Sequence, residues 1–357
     1  MNSFDILYQV YRARYSLTRI QDVLDTGYKV AFLGSPECTD RIRSYLGEAK
    51  AAPEPAEGEE PKPPSVRIFT LPVAEEDRES LAECQAGIVH MGTQIPDAPT
   101  LRELAESIPV KVPCLWVVES TDPPPGDGSA NHPHVPTIYR LDPEDPGPIL
   151  CALLIRAYPD LALGLARDFS QLRFHFARNL VRRTSSRNAM LAAASSVPAP
   201  KIPVIQFLWM FVATTAETLA ITASQVRLCL LMAALHGRPV DFFDRVGELW
   251  PIIGSAFGWR QLVREVMGFI PLGGWAFKAG VAYTGTWMVG EGARLYYELG
   301  QPNDKEVLRE IQRRTRREAR EAAQEAVLGE IVAEDEVPIP ESTSGDPLSD
   351  EALTGEA

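Results

Sequence analysis

A rhythm that runs through the first 158 residues of this chain and then stops constrains its fold more than any other feature. Short apolar runs stand at Val30–Gly34, Val66–Leu71, Gly87–Met91, Val112–Glu119 and Thr137–Leu141, each bounded by polar residues or by Gly and Pro. Helix-like stretches separate them, around Glu75–Cys84, Thr100–Ser107 and Gly147–Ala157. Compact apolar runs alternating with helix-length segments predict strands buried on both faces, and so a parallel α/β sheet. Ahead of the first run, Ile6, Val10, Tyr11, Leu17, Ile20 and Leu24 fall near helical spacing, which predicts a helix. After about Asp160 no strand-like alternation is evident. Long helices are expected there, over approximately 161–194, 203–235, 242–253, 260–267, 274–299 and 304–331.

The predicted organisation is an N-terminal helix (1–27), an α/β domain (28–158), an all-α helical domain (159–300), a charged helix (301–331) and an acidic tail (332–357). Within the α/β domain, 48–64 is an Ala/Pro/Glu insert with five prolines, too poor in large apolar residues to offset its ordering entropy. The segment 122–148 holds eight prolines and reads as a long loop.

The net charge of −13 looks at first like an argument against nucleic acid as a bulk partner. Its distribution says otherwise. The tail from Glu330 carries nine carboxylates and no Lys or Arg, and the insert adds five acids against two bases. Residues 160–300 hold 14 basic and 9 acidic side chains, a net of +5. The five cysteines form no Cys-x-x-Cys pair, which suits a reducing cytoplasm rather than a disulfide framework or a zinc ribbon. Met1–Asp5 offers no basic segment followed by an apolar run, so no secretory signal is expected.

Strand, glycine, loop and helix at 30–46 occupy the place where a P-loop protein carries Gly-x-x-x-x-Gly-Lys-Ser/Thr. Laid from Gly34, the second Gly falls on Thr39, the Lys on Asp40 and the Ser/Thr on Arg41. Thr39 brings a Cβ where the loop must wrap phosphate. Asp40 sets a negative charge where phosphates need an ammonium, and Arg41 has no hydroxyl for Mg²⁺. The order and spacing resemble an Era-like GTPase domain over about residues 28–158. On that resemblance Thr70 and Val73 replace the Asp and Gly of Asp-x-x-Gly, and Glu119 and Ser120 replace the Asn and Lys of Asn-Lys-x-Asp, leaving only Asp122. The resemblance therefore implies a degenerate, non-catalytic pseudo-GTPase with no cofactor. A generic α/β domain whose Gly34 merely ends a strand fits the same residues.

The downstream half resembles a bacterial helical family, domain of unknown function 697, which often follows an Era-like GTPase domain. The residues carrying the resemblance are Ser195–Pro198, Gln225, Met232, His236-Gly237, the block Gly268–Trp275 with Pro271 and Gly273, then Lys278, Ala282, Thr284-Gly285-Thr286 and Gly290. It implies a helical domain that associates with a membrane or with itself, on the cytoplasmic side of the inner membrane. The small residues Gly280, Ala282, Gly285 and Gly290 predict close helix packing.

Residues 202–223 and 269–290 each reach the roughly 20 residues that span a bilayer, but Glu217 and Lys278 sit within them. Two readings follow, peripheral or soluble packing and an integral protein with two spans. A basic helix carrying Arg173, Arg178, Arg182, Arg183 and Arg187 keeps an anionic membrane surface among the partners. The helix at 305–320 interleaves arginines with glutamates, which argues for a salt-bridged surface and against nucleic acid. His132 and His134 have no convergent ligands, so no metal site is expected. No catalytic residue is identified. The expected function is a scaffold or regulatory partner, with an atypical nucleotide hydrolase as the alternative.

Overall fold

The computed structural model describes residues 27–47, 66–120, 137–194, 220–238 and 274–300, together with 306, 307, 309, 310, 313–315, 317, 318 and 321. The predicted N-terminal helix, the 48–64 insert, Ser195–Pro198, helices 242–253 and 260–267, Asp122, His132, His134, Pro271, Gly273 and the tail lie outside these residues. The chain divides into one unit of Val23–Phe176 and a second of Met1–Asp22 with Ala177–Ala357.

The first unit is built on a five-stranded, all-parallel sheet: β1 (Val30–Leu33), β2 (Val66–Phe69), β3 (Ala86–His90), β4 (Cys114–Glu119) and β5 (Ile138–Leu141). Its order is β2-β1-β3-β4-β5. This is a doubly wound order with its switch point between β1 and β3. Every position of β1 and β3 is buried, which is why both read as unbroken apolar runs. The edge strands β2 and β5 leave Ile68 and Tyr139 exposed.

Among the described residues, five α-helices lie wholly within this unit: α1 (Pro36–Leu46), α2 (Arg78–Ala82), α3 (Ala98–Ser107), α4 (Pro146–Ala157) and α5 (Pro159–Asp168). Leu81, Leu101, Ile108 and Val112 pack with Leu33, Val89 and Trp116 of the sheet in one apolar layer. Helices α1 and α4 pack together.

The continuous helix expected over 161–194 is broken. Phe169 takes an extended conformation between α5 and α6 (Ser170–Ala194). Its ring is buried, 6.1 Å from that of Phe32, so core packing outweighs local helix propensity here. The Arg173 guanidinium closes the break by donating to the carbonyls of Ala166 (3.2 Å) and Arg167 (2.5 Å), two of the acceptors a helix end leaves open. Helix α5 stays with the first unit, its Asp168 accepting from the Tyr28 hydroxyl at 2.6 Å. The division between the two units falls after Phe176.

In the second unit, the rest of α6 packs with α7 (220–235) and α8 (Gly274–Glu298). A Cβ on Gly290 of α8 would stand 2.6 Å from Leu228 Cδ2 and 2.8 Å from Val181 Cγ2, so three helices meet where a side chain is missing. Lower on α8, the buried Arg294 guanidinium donates to Glu291 Oε1 and reaches Glu298. Among the described residues, no helix is long and apolar enough to cross a membrane. That includes α8, which contains most of 269–290.

Candidate functional site

In doubly wound sheets, ligands bind in the crevice outside the carboxyl ends of the strands, at the switch point. Here that place lies between Gly34, which follows β1, and His90, which ends β3. Gly34 is required by close approach, since a Cβ there would lie 2.7 Å from the His90 carbonyl oxygen and 3.0 Å from Cys38 Cβ. Helix α1 then starts with its N-terminus in the crevice, the arrangement that makes anion sites elsewhere.

This N-terminus is already committed to its own chain. Pro36 at the first helical turn has no N–H to give, and Ser35 Oγ accepts from the Cys38 N–H at 3.3 Å. Thr39 is buried, and its hydroxyl turns back to the Pro36 carbonyl at 2.9 Å. Glu37 adds a carboxylate in the first turn, and Asp40 is exposed on the second. Both favour the helix dipole and disfavour a phosphate.

Across the crevice, one carboxylate gathers the remaining polar groups. Glu119 ends β4 and is buried. Its Oε2 accepts from Arg41 Nη1 at 2.7 Å, and its Oε1 accepts from the Tyr45 hydroxyl at 2.6 Å. The fully buried His90 ring brings Nε2 to 2.8 Å from the same Oε1, off the line of a hydrogen bond. Because Nδ1 accepts from the Gly92 N–H at 3.1 Å, the ring proton is assigned to Nε2, facing the carboxylate. Arg41 and Tyr45 lie four residues apart, on one side of α1. Helix α1 is thereby tied to the ends of both β3 and β4.

The environment sets the charges. Glu119 holds the Arg41 guanidinium in its charged form, above its ordinary value. Burial, and then the neighbouring carboxylate, push the Tyr45 hydroxyl up to about 12. Burial lowers the His90 imidazole below its usual 6.5 despite Glu119, with Arg41 adding to the lowering. At neutral pH the cluster therefore holds a neutral imidazole, a neutral phenol and one ion pair. Each of the four polar side chains faces another of the four.

No protein-family model matches the chain, and no curated protein or solved structure matches it significantly.

Of the positions singled out from the sequence, Gly34, Thr39 and Arg41 come together at this crevice. Asp40 points to solvent, and Asp122 lies outside the described residues. His90, Tyr45 and the role of Glu119 were missed. The available signal was a pair of ionisable residues, His90 and Glu119, each closing an otherwise apolar parallel strand at its carboxyl end, where sites form.

The described helical positions serve packing. Thr286, fully buried, accepts from Asn188 Nδ2 at 2.9 Å and from Gln225 Nε2 at 3.2 Å. Asn188 also bonds Ser224 Oγ at 2.7 Å. A polar seam thus joins α6, α7 and α8. Thr284 is buried and donates to the Gly280 carbonyl at 2.7 Å. Gly285 is half-buried on α8. Gly237 (φ 68°) ends α7 in a left-handed cap, with its N–H on the Ala234 carbonyl and that of Arg238 on the Ala233 carbonyl. Lys278 lies on α8. Among the described residues no cluster of His, Cys, Asp and Glu could hold a metal ion.

Proposed function

We propose that the α/β unit is a pseudo-GTPase, a GTPase-like module that no longer binds or hydrolyses nucleotide. The helical unit then associates with a protein partner, with a second copy or with an anionic membrane surface, and the whole acts as a scaffold or regulatory partner. The observation that carries this reading is the Arg41–Glu119–Tyr45–His90 cluster. It places a buried carboxylate and its partners where a phosphate would need open donors. The cap on α1 supports the same conclusion, since Ser35 and Pro36 remove donors from the helix end. The Era-like order of elements supports descent from a GTPase layout: strand, Gly34 and helix come first, and four parallel strands follow.

The helical unit supports a role in association through what its signature residues do. Gln225, Thr286 and Gly290 fix three helices against one another, and Gly237 caps one of them. With no described helix fit to span a bilayer, membrane association is proposed as peripheral, at the cytoplasmic face of the inner membrane. Release of phosphate from GTP and ATP by the full chain tests the non-catalytic reading. The expected rate equals that of the protein-free control. Release that saturates with nucleotide and disappears in a Gly34→Val variant would overturn it.

A further inference from the structure

Helix α6 has a charge composition unlike any other described helix. Its 25 residues include five arginines and not one Asp or Glu. Beyond Phe176 its inner side is buried: Val181, Ser185 and Ala192 face the interior, and Asn188 sits in the seam with Thr286. Its outer side has two adjacent rows, Arg178–Arg182–Met190, with the half-buried Ser186 between the last two, and Arg183–Arg187–Leu191 at four-residue spacing. The four arginines, Met190 and Leu191 are all exposed, Met190 to 71%. Each row thus begins with guanidinium groups and ends one or two turns later in a bare apolar side chain. The four arginines extend over about 13 Å of helix at a rise of 1.5 Å per residue.

From this arrangement we infer that the outer face of α6 docks on a bilayer containing anionic phospholipid, with the arginines on headgroup phosphates and with Met190 and Leu191 in the acyl boundary. The inference rests on the reading of the helical unit as the associating half. Charge complementarity selects an anionic surface, since α6 itself carries five arginines and no carboxylate while the chain as a whole is net negative. The apolar ends select lipid over a polynucleotide. A phosphate backbone binds arginines but gives an exposed methionine nothing to bury against, whereas the headgroup–acyl boundary takes both. Guanidinium groups also pair with phosphate oxygens in a bidentate way that ammonium groups do not.

Cosedimentation of the full chain with vesicles tests this. Binding is expected to vesicles of phosphatidylglycerol with phosphatidylcholine, to be absent with phosphatidylcholine alone, and to weaken as salt is raised. Replacing the patch by Arg178→Gln, Arg182→Gln, Arg183→Gln and Arg187→Gln together is expected to weaken partitioning more than tenfold. Two single changes at exposed positions, Arg183→Glu and Met190→Ser, keep the test independent of any loss of folding in the quadruple variant. Each is expected to reduce partitioning severalfold with an unchanged circular dichroism spectrum. Three results would overturn the inference: no cosedimentation with the anionic vesicles, equal binding to both vesicle types, or binding that both single variants leave unchanged. Tighter binding to a soluble RNA oligomer than to the vesicles would also overturn it. Light scattering without vesicles reports self-association separately, so a failed vesicle experiment leaves the wider reading of the helical unit to be judged by that result.

Discussion

Arg41 donates to Glu119 Oε2 across 2.7 Å, joining the second turn of α1 to the carboxyl end of β4, 78 residues further along the chain. The two ends of this contact are unlike. The Arg41 side chain is 45% exposed and that of Glu119 only 8%.

Removing the two partners should therefore cost very different amounts. Arg41→Gln leaves Glu119 with Tyr45 and should lower unfolding stability only slightly, as for other half-exposed ion pairs. Glu119→Ala strips the acceptor from Tyr45 and Arg41 and the facing carboxylate from the buried His90 at once, and should cost about 2–3 kcal/mol. Urea denaturation of each variant, followed by circular dichroism, checks the order. Equal losses would mean that the pair, and not the buried carboxylate, organises the crevice.

His90 gives the crevice a pH dependence of known sign. Its folded value is lowered by burial, so the unfolded chain takes up its proton first as pH falls. The neutral ring's contribution to stability is complete above about 6.5 and declines as pH drops from there toward the lowered folded value. Denaturation midpoints measured from pH 8 down to pH 5 should fall, and His90→Gln should flatten part of that slope. Tyr45 acts at the other extreme. Its hydroxyl is pushed up to about 12, so its contribution persists at neutral pH and is lost as pH rises from about 10 through 12. Ultraviolet difference titration against Tyr45→Phe should show one phenol missing from that upper range.

Gly290 should tolerate no side chain without movement of its neighbours. Gly290→Ala gains up to about 1 kcal/mol of helix propensity but forces a methyl to within 2.6 Å of Leu228 Cδ2 and 2.8 Å of Val181 Cγ2. Overpacking of this kind costs about 1–3 kcal/mol, so a net loss is expected. Shortening the neighbour in a Gly290→Ala, Leu228→Ala double variant should recover part of it, giving a non-additive cycle. Additive losses would show that the three helices do not meet at this point.

Thr286→Val keeps the shape of the residue and deletes the oxygen that Asn188 and Gln225 share. Asn188 retains Ser224, and Gln225 is partly exposed and can turn to water, so the loss should be modest, about 1–2 kcal/mol. Asn188→Leu, which removes the centre of the seam, should cost more. Thermal denaturation ranks the two.

The sheet was legible because its strands are buried on both faces. Continuous apolar runs such as Val30–Leu33 and Ala86–His90 have no competing reading once Pro and polar residues bound them, and each predicted strand agrees with the observed one to within two residues at either end. The break at Phe169 was not legible. Its local pattern is helical, and only the tertiary contact with Phe32 reveals why the backbone extends there. The crevice was half legible. That Asp40 and Arg41 stand where a P-loop would carry its Lys and its hydroxyl could be read from spacing alone. That Arg41 would reach Glu119, and that Tyr45 and His90 would converge on the same carboxylate, depends on a crossover and a strand order that no linear spacing encodes. In the helical half, the small residues announced close packing. Which one sits at the meeting of three helices became evident only when Gly290 was found against Val181 and Leu228.

The central claim is that the chain's own side chains fill the place of a nucleotide phosphate. Calorimetric titration of the full chain with Mg²⁺-GTP, and in turn with GDP and ATP, tests it most directly. The account predicts no saturable heat at nucleotide concentrations up to the millimolar range. Saturable one-to-one binding in the micromolar range, weakened by Gly34→Val, would contradict it.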